Sequence, residues 1–190
     1  MKKQLIFLLI FICNVNFVKA DDFFQDITYQ VLDNQPRLSY GVSVSDANND
    51  GKFEFIVTGF GFNNLALSYK KGILFNTIDQ KIFLDQNRKT IGVASCDIDQ
   101  DGFEEIYFLN TDTYSGEKKY SDRLIDLQDN KFIDLFELNI NQENLNLTAG
   151  RSVVCVDRKG DGTYGIYVAN YGGPTRFYEK KGNKIVDNAK

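Results

Sequence analysis

The sequence predicts an all-β fold of β-propeller blades, about three of them with four strands each, which makes an incomplete propeller. Three observations predict this fold. A unit of strand, D-x-x-x-D-G loop and strand occurs three times, as GVSVSDANNDGKFEFIVTGFG, GVASCDIDQDGFEEIYFLNTD and SVVCVDRKGDGTYGIYVANYG. The strands beside the loops, such as 53–58 and 106–109, are almost continuously apolar, which is typical of strands covered on both faces. Helical patterns are scarce, and only 134–147 predicts a short helix.

The repeat has the period of a propeller rather than that of a solenoid. The loops begin at Asp46, Asp97 and Asp157, which are 51 and then 60 residues apart. This spacing is close to one propeller blade and longer than most solenoid repeats. We therefore predict one blade per unit, each sandwiched between its neighbours, at roughly 36–86, 87–140 and 145–190.

Each unit is expected to hold four strands. In the first unit they are predicted near 41–45, 53–59, 65–69 and 73–78. A short pattern, an aromatic or aliphatic residue two positions before Asp, ends each unit and occurs at 23–27, 131–135 and 184–188. Its first copy predicts an isolated N-terminal strand near 23–28, which corresponds to the outermost strand of a blade.

The N-terminus has the features of a secretory signal peptide at 1–20. Lys2 and Lys3 precede an apolar run from Leu5 to Ile12, and Ala20 is a small residue at the expected cleavage point. The run is well short of the roughly 20 residues that cross a bilayer, and no later stretch comes close. We therefore predict a secreted, extracellular protein without a membrane span, whose mature chain at 21–190 forms the propeller domain.

The composition excludes most of the common hydrolase mechanisms. The chain contains no histidine, so it lacks the imidazole that serine and cysteine triads and histidine-ligated zinc require. Carboxylate-only catalysis stays open, but the sequence does not identify a pair of acids for it. The formal net charge is -4, and loss of 1–20 makes it -7, which disfavours nucleic acid and anionic lipid as partners and favours cations.

The acidic loops have the oxygen-rich spacing of a calcium site. In DIDQDG at 97–102, side chains one, three and five of a tight loop point toward one centre, and Gly102 permits the positive φ of the reversal. An EF-hand needs a bidentate glutamate at position twelve, but the second loop has Phe108 there and the first has Val57. The alternative is an acidic turn whose side chains only accept hydrogen bonds from the backbone.

An acid at position nine, where the outgoing strand starts, makes the loops resemble the FG-GAP repeat of integrin α-subunit propellers. In that family calcium is held by side chains one, three, five and nine and by the carbonyl of position seven. The resemblance therefore implies two calcium sites. The first would consist of Asp46, Asn48, Asp50, the Lys52 carbonyl and Glu54. The second would consist of Asp97, Asp99, Asp101, the Phe103 carbonyl and Glu105.

The third loop, DRKGDGTYG, departs from the pattern. Lys159 replaces the ligand at position three, and Gly165 replaces the acid at position nine. A lysine ammonium can sit between Asp157 and Asp161 and take the place of an ion. We expect no calcium at this loop.

A closer resemblance is carried by GVASCDIDQDGFEEIYFLNT, AGRSVVCVDRKG and IYVANYGGP. These segments resemble the N-terminal propeller of the cartilage acidic protein family, and the likeness runs from about 23 to 187. It implies a secreted calcium-binding propeller in adhesion or matrix interaction, with an extracellular protein or glycan as partner and no catalytic residues. In that family about seven blades close the ring, whereas three blades cannot close. The chain is a fragment of a longer product, or copies assemble through the open blade faces, or it is a poorly folding remnant.

Two further features concern covalent modification. Cys96 lies one residue before its loop and Cys155 two residues before its loop, which places them on opposite faces of equivalent strands. Neighbouring blades present opposite faces to each other, so a disulfide between blades two and three is plausible in an oxidising compartment; two buried free thiols are the alternative. Asn146 begins the sequon Asn-Leu-Thr and predicts a glycosylated surface loop.

Two hypotheses of function follow from these features. The first is a noncatalytic binding module whose calcium-filled loops stiffen one rim, while the other rim or an open face meets the partner. The second is part of a propeller-bearing carbohydrate-active enzyme, which would need one protonated and one ionised carboxyl group in a cleft.

Overall fold

The computed structural model describes residues 24–189 of the chain. Its fold is all-β, with twelve strands in three four-stranded antiparallel sheets across this part of the chain. The predicted signal peptide at 1–20 lies outside the described residues. None of the helices within 24–189 combines the length and apolar character that a bilayer span requires.

The strands of each sheet follow one another along the chain, with no crossover. The first sheet consists of β1 (Val42–Ser45), β2 (Glu54–Val57), β3 (Leu65–Lys70) and β4 (Ile73–Asn76). The second consists of β5 (Thr90–Cys96), β6 (Glu105–Asn110), β7 (Arg123–Gln128) and β8 (Lys131–Asp134). The third consists of β9 (Gly150–Val156), β10 (Gly165–Asn170), β11 (Arg176–Lys181) and β12 (Lys184–Asp187). The prediction of four strands per unit is confirmed.

The second sheet lies between the other two. One buried cluster joins the first and second sheets and includes Ile56 and Phe108, and another joins the second and third sheets and includes Tyr107 and Tyr178. Consequently every residue of β6 is buried, because its sheet is covered on both faces. In β2 burial alternates, because the first sheet is covered on one face only.

The connections between sheets add side chains to these two clusters. A short helix, α1 (Lys81–Leu84), places Phe83 edge-to-face against Phe108, with ring centroids 5.1 Å apart. Two 3₁₀ helices at Leu135–Glu137 and Asn139–Asn144 connect β8 to β9, within the segment expected to be helical. Helix α1 was not predicted, because four residues are too few to give a helical period.

The N-terminal strand predicted near 23–28 is wrong for the part that the structure describes. Residues 24–27 form no strand, and Thr28–Gln30 form a 3₁₀ helix. The Asp26 side chain accepts the backbone N–H of Thr28 at 2.8 Å, which turns the chain locally. The only contact of strand type in this segment is an isolated parallel bridge between Val31 and Leu74.

Candidate metal centre

All three D-x-x-x-D-G loops join the first and second strands of their sheets and have the same backbone design. In the second loop, Asp97 accepts the backbone N–H groups of Asp101 at 3.2 Å and of Gly102 at 3.0 Å. Gly102 has φ 92°, as expected, and Gln100 at position four also has a positive φ of 64°, which the sequence did not predict. The first aspartate therefore holds the loop closed through its own backbone.

The second loop brings three carboxylates together. Oxygen atoms of Asp97, Asp99 and Glu105 all lie within 4.8 Å of one another, and no other acidic group of the described residues reaches this density. Asp101, the third predicted side-chain ligand of this loop, is not part of the group; its Oδ1 accepts the Phe103 N–H at 2.9 Å. The structure thus brings together the side chains at positions one, three and nine of the second loop.

Glu105 differs from the other acids of the loop because it is buried, with 1% of its surface exposed. Its Oε2 accepts the backbone N–H of Ile98 at 2.8 Å, but its buried Oε1 has no hydrogen-bond partner. Burial raises the pKa of Glu105 to about 8, and the charges of Asp99, Asp126 and Asp101 add to this rise. A buried carboxylate oxygen without a partner is costly, so this oxygen favours a cation beside it.

Two residues far along the chain also belong to this site, and the sequence did not reveal them. Asp126 of β7 lies next to Glu105, since Ile106 and Ile125 are paired on these neighbouring strands, and Asp126 is 4% exposed. Burial raises its pKa, and the charges of Asp99 and Asp101 raise it further. Lys180 of β11 reaches over from the third sheet and pairs its ammonium with Asp99.

The donor set fits a hard cation such as calcium. Asp97, Asp99 and Glu105 supply carboxylate oxygens at one centre, and Glu105 supplies one that nothing else satisfies. Oxygen donors of this kind are what calcium prefers. The ammonium of Lys180 is the one positive charge of the described residues paired with this loop, and it contacts Asp99 rather than Glu105.

The first loop has the same shape but a different balance of charge. Asp46 accepts the N–H groups of Asp50 and Gly51, at 2.9 and 2.8 Å, and Asn48 also accepts from Asp50, at 3.0 Å. Glu54, at position nine, accepts the Ala47 N–H and the hydroxyl of Ser68 at 2.6 Å. Both oxygens of Glu54 are therefore satisfied within the protein, unlike those of Glu105.

The cross-strand neighbour of position nine explains this difference. In the first sheet Glu54 is paired with Ser68, a neutral donor. In the second sheet the corresponding neighbour of Glu105 is Asp126, a second acid that cannot donate while ionised. In the first loop, both carboxylate oxygens of position nine therefore accept hydrogen bonds from the protein. The second loop instead places two neighbouring acids together without a donor for Oε1 of Glu105.

The third loop has no room for an acid at position nine. A Cβ on Gly165 would lie 2.7 Å from Cζ of Phe177 and 2.9 Å from the carbonyl oxygen of Tyr178. The acid is found instead on the neighbouring strand, as Glu179, which accepts hydrogen bonds from the Arg158 guanidinium at 2.8 and 3.2 Å. The guanidinium of Arg158 therefore supplies a positive charge next to this loop.

This cation is Arg158 and not the lysine that the sequence predicted. Within the described residues Lys159 forms no ion pair with Asp157 or Asp161. Asp157 instead accepts four backbone N–H groups of its own loop, the shortest from Gly160 and Gly162 at 2.8 Å. The turn is held by these bonds, so an ammonium between the two aspartates is unnecessary.

Cys96 and Cys155 form a disulfide that ties β5 to β9, and their Cα atoms are 6.1 Å apart. Cys96 packs in the cluster between the second and third sheets, with Cys155 beside it. The two sulfurs meet because β5 and β9 present opposite faces to each other, which is the arrangement used to predict this pair.

The surface loop predicted at Asn146 is wrong. Its side chain is fully buried, and its Nδ2 donates to Asp122 at 2.6 Å and to Asn170 at 3.0 Å. Asp122 also accepts from the Tyr107 hydroxyl at 2.7 Å and pairs with the buried Lys118. Asn146 therefore completes a buried polar network, and the folded site leaves no space for a glycan.

Comparison with known proteins gives three relatives that share one name. The chain is 43% identical to cartilage acidic protein 1 of Xenopus tropicalis, 41% identical to that of Homo sapiens and 40% identical to that of Mus musculus. Each match covers 80% of this chain. The chain is homologous to cartilage acidic protein 1. It spans about a quarter of the length of these curated relatives, 26% in each case.

The homology agrees with the resemblance to the cartilage acidic protein family that runs from about 23 to 187. No family model matches the chain, so its membership of the FG-GAP family stays a prediction. The relatives are named as acidic proteins of cartilage, and this chain is acidic too, with a pI of about 4.9.

Proposed function

We propose that this chain is an extracellular calcium-binding module that contacts a protein or glycan partner without catalysing a reaction. In this proposal its three sheets are blades of an FG-GAP type β-propeller. Two loops bind calcium, the third does not, and the ions stiffen the rim on which the loops lie.

One observation carries the proposal: the buried Oε1 of Glu105 has no partner although Asp97 and Asp99 lie beside it. Burial of a carboxylate without a partner raises the free energy of the folded state, and a bound cation offsets this desolvation penalty. Calcium would supply the positive charge at this centre, while Asp97, Asp99 and Glu105 would hold it. The backbone bonds to Asp97 keep the loop in shape before an ion arrives.

The arrangement of the sheets supports the propeller interpretation. The first strands of the three sheets, β1, β5 and β9, are neighbours in space, and the sheets stack face to face through two separate apolar clusters. This is the relation between successive blades of a propeller, where each sheet is covered by the next. The homology to cartilage acidic protein 1 agrees with an extracellular setting.

The rim opposite the acidic loops favours a binding role. It carries two exposed tyrosine rings under one cation: Arg151 lies 5.3 Å from the ring of Tyr114 and 5.1 Å from that of Tyr171. Lys89 lies 5.7 Å from the half-buried ring of Phe60. Aromatic and arginine side chains are enriched where proteins bind partners.

The test is a thermal melt of the purified protein in millimolar calcium and again in chelator. We expect the melting temperature to rise with calcium, since a ligand at 100 times its Kd stabilises the native state by about 2.7 kcal/mol. In Glu105→Gln the calcium-dependent rise should shrink strongly, while the melting temperature in chelator stays the same or increases because a neutral amide replaces a buried acid that is costly to ionise. Glu117→Gln, an exposed acid on the opposite rim, is the matched control.

A cooperative melt that calcium does not move would overturn the metal assignment. An equal calcium response in Glu105→Gln and the unmodified protein would show that the ion binds elsewhere. Turnover of a polysaccharide that disappears with Glu105→Gln would instead support the enzyme hypothesis.

A further inference from the structure

The third strand of each sheet places one side chain directly opposite position nine of the loop. Residues that lie opposite each other on antiparallel strands point to the same face, with Cβ atoms about 5 Å apart. We call this place on the third strand the cross-strand position. It is held by Ser68, Asp126 and Glu179, which lie opposite Glu54, Glu105 and Gly165 respectively.

The cross-strand residue of the second sheet, Asp126, is a buried acid outside the loop. It is 4% exposed and lies on the face of β7 that also carries Leu124, in the cluster between the second and third sheets. Its carboxylate accepts the side-chain amide of Gln128 at 2.6 Å, and within residues 24–189 it forms no ion pair. Asp126 is also absent from the five loop positions on which the resemblance to the FG-GAP repeat depends.

The cross-strand residue determines whether position nine is satisfied by the protein. In the first sheet, the hydroxyl of Ser68 donates to Oε1 of Glu54 at 2.6 Å. In the second sheet, Oε1 of the buried Glu105 has no partner, and an acid takes the place of the serine. A carboxylate accepts hydrogen bonds but does not donate them. Two neighbouring buried acids are costly to ionise together, and a cation beside them offsets this cost.

The third sheet shows a cross-strand acid that is neutralised by the protein itself. Glu179 accepts hydrogen bonds from the guanidinium of Arg158 at 2.8 and 3.2 Å, so this acid has a cation in direct contact. In the second sheet, Lys180 reaches the loop from the neighbouring sheet but pairs with Asp99. The charge of Asp126 is therefore left for a cation that comes from outside the chain.

We propose that Asp126 makes the second loop the tight calcium site of the molecule, whereas Ser68 leaves the first loop a weak one. This inference rests on the proposed calcium-binding function. Asp126 is not one of the three carboxylates whose oxygens lie within 4.8 Å of one another, so it acts on the ion through its charge rather than as a direct ligand.

The count of acids gives the same order of affinity. Calcium affinity rises with the number of charged groups that surround an oxygen site. Counting positions one, three, five and nine and the cross-strand position, the second loop has five acids, and the first and third have three each. The third loop also contains the cations Arg158 and Lys159. The acids of the second loop are Asp97, Asp99, Asp101, Glu105 and Asp126.

An exchange of the two cross-strand residues tests the proposal. Calorimetric titration of the purified protein with calcium should show one tight and one weak class of sites. Asp126→Ser gives the second sheet the donor of the first and should raise the Kd of the tight class by about tenfold. Ser68→Asp gives the first sheet the acid of the second and should lower the Kd of the weak class by a similar factor. Asp129→Asn, an exposed acid three residues after Asp126, is the matched control and should change neither class.

A second variant separates the effect of charge from that of packing. Asp126→Asn keeps the size of the side chain and an oxygen that can accept from Gln128, so it should weaken the tight class as strongly as Asp126→Ser. In chelator the melting temperature of both variants should stay the same or rise, because a buried acid is gone. Unchanged calcium affinity in Asp126→Asn, or an equal loss in both classes of sites, overturns the proposal.

Failure of this inference and failure of the proposed function give different results. If the unmodified protein binds no calcium, the proposed function is wrong and the inference falls with it. If it binds calcium but the tight class is the same in Asp126→Ser, the proposed function stands and this inference is overturned. A folded Ser68→Asp variant whose weak class does not become tighter also overturns the inference.

Discussion

The ammonium of Lys180 pairs with the carboxylate of Asp99, although the two residues lie in different sheets and 81 positions apart. Asp99 belongs to the loop in which Asp97 and Glu105 also meet. The side chain of Lys180 is 27% exposed and that of Asp99 10% exposed, so the pair is only partly screened by water. The third sheet therefore supplies a cation to the acidic loop of the second.

Removal of this ammonium should strengthen calcium binding. In Lys180→Gln the cluster loses its protein-borne cation, so an ion no longer competes with the lysine for Asp99. We expect the calcium Kd to fall by about five- to tenfold, as a partly buried pair is worth ~1 kcal/mol. Isothermal titration calorimetry measures this change, with Lys181→Gln as the matched control because Lys181 is exposed and lies one residue away. Weaker calcium binding in Lys180→Gln would contradict this role of the lysine.

A methyl group at position nine of the third loop should destabilise the protein. In Gly165→Ala the new Cβ would collide with the Phe177 ring and the Tyr178 carbonyl, which are within 2.9 Å. Overpacking of this kind costs about 1–3 kcal/mol, measured as the free energy of unfolding in urea. Phe177→Leu should recover part of the loss in the double variant, because the two sites share one contact. Additive effects of the two substitutions would contradict the collision.

Asn146 should be a structural residue and not a glycan acceptor. The intact mass of the folded, secreted protein should show no glycan at Asn146, since its amide donates to Asp122 inside the protein. Asn146→Ala should lower the free energy of unfolding by about 1–3 kcal/mol, because buried partners lose a hydrogen bond. Asn87→Ala, an exposed site, is the control and should have little effect. A glycan found on Asn146 in folded protein would contradict the buried position.

The third loop should stabilise the fold above about pH 4 and weaken it in acid. The backbone N–H of Gly162, followed by those of Gly160 and other loop residues, holds the pKa of Asp157 below its usual value of 3.8. A carboxyl group whose pKa is lower in the folded state stabilises that state above its unfolded pKa, and this contribution is lost as the pH falls through the folded pKa. NMR titration of the Asp157 carboxyl group should give this lowered pKa, and Asp157→Asn should make unfolding less dependent on pH below 4. A pKa at or above 3.8 would contradict the hydrogen-bonded loop.

Features formed by residues close in the chain could be predicted from the sequence. The bond from Gly102 to Asp97 spans five positions, so the D-x-x-x-D-G spacing is sufficient to predict the closed loop. The four strands of each sheet follow one another along the chain, and nearly continuous apolar runs beside the loops mark the inner ones. Prediction of the disulfide between Cys96 and Cys155 depended on the repeat, because alignment of successive units shows which faces of neighbouring sheets meet.

Features formed across strands and sheets were decided by the tertiary structure alone. Asp126 lies next to Glu105 through the register of β6 and β7, and no spacing along the chain reveals that register. The same holds for Arg158, which pairs with Glu179 across 21 positions. Asn146 has the sequence of a surface sequon but is buried, because partners distant in the chain enclose it.

One physical reason separates the features that the sequence predicts from those that only the tertiary structure decides. The sequence by itself determined the loops, the strands and their repetition, because hydrogen bonds within a loop and apolar runs within a strand involve only neighbouring residues. The tertiary structure decided which buried charge lacks a partner and which faces stay uncovered, because desolvation depends on everything that packs around a group. The loop at Asp97 is thus a property of the sequence, and the unpaired oxygen of Glu105 within it is a property of the fold.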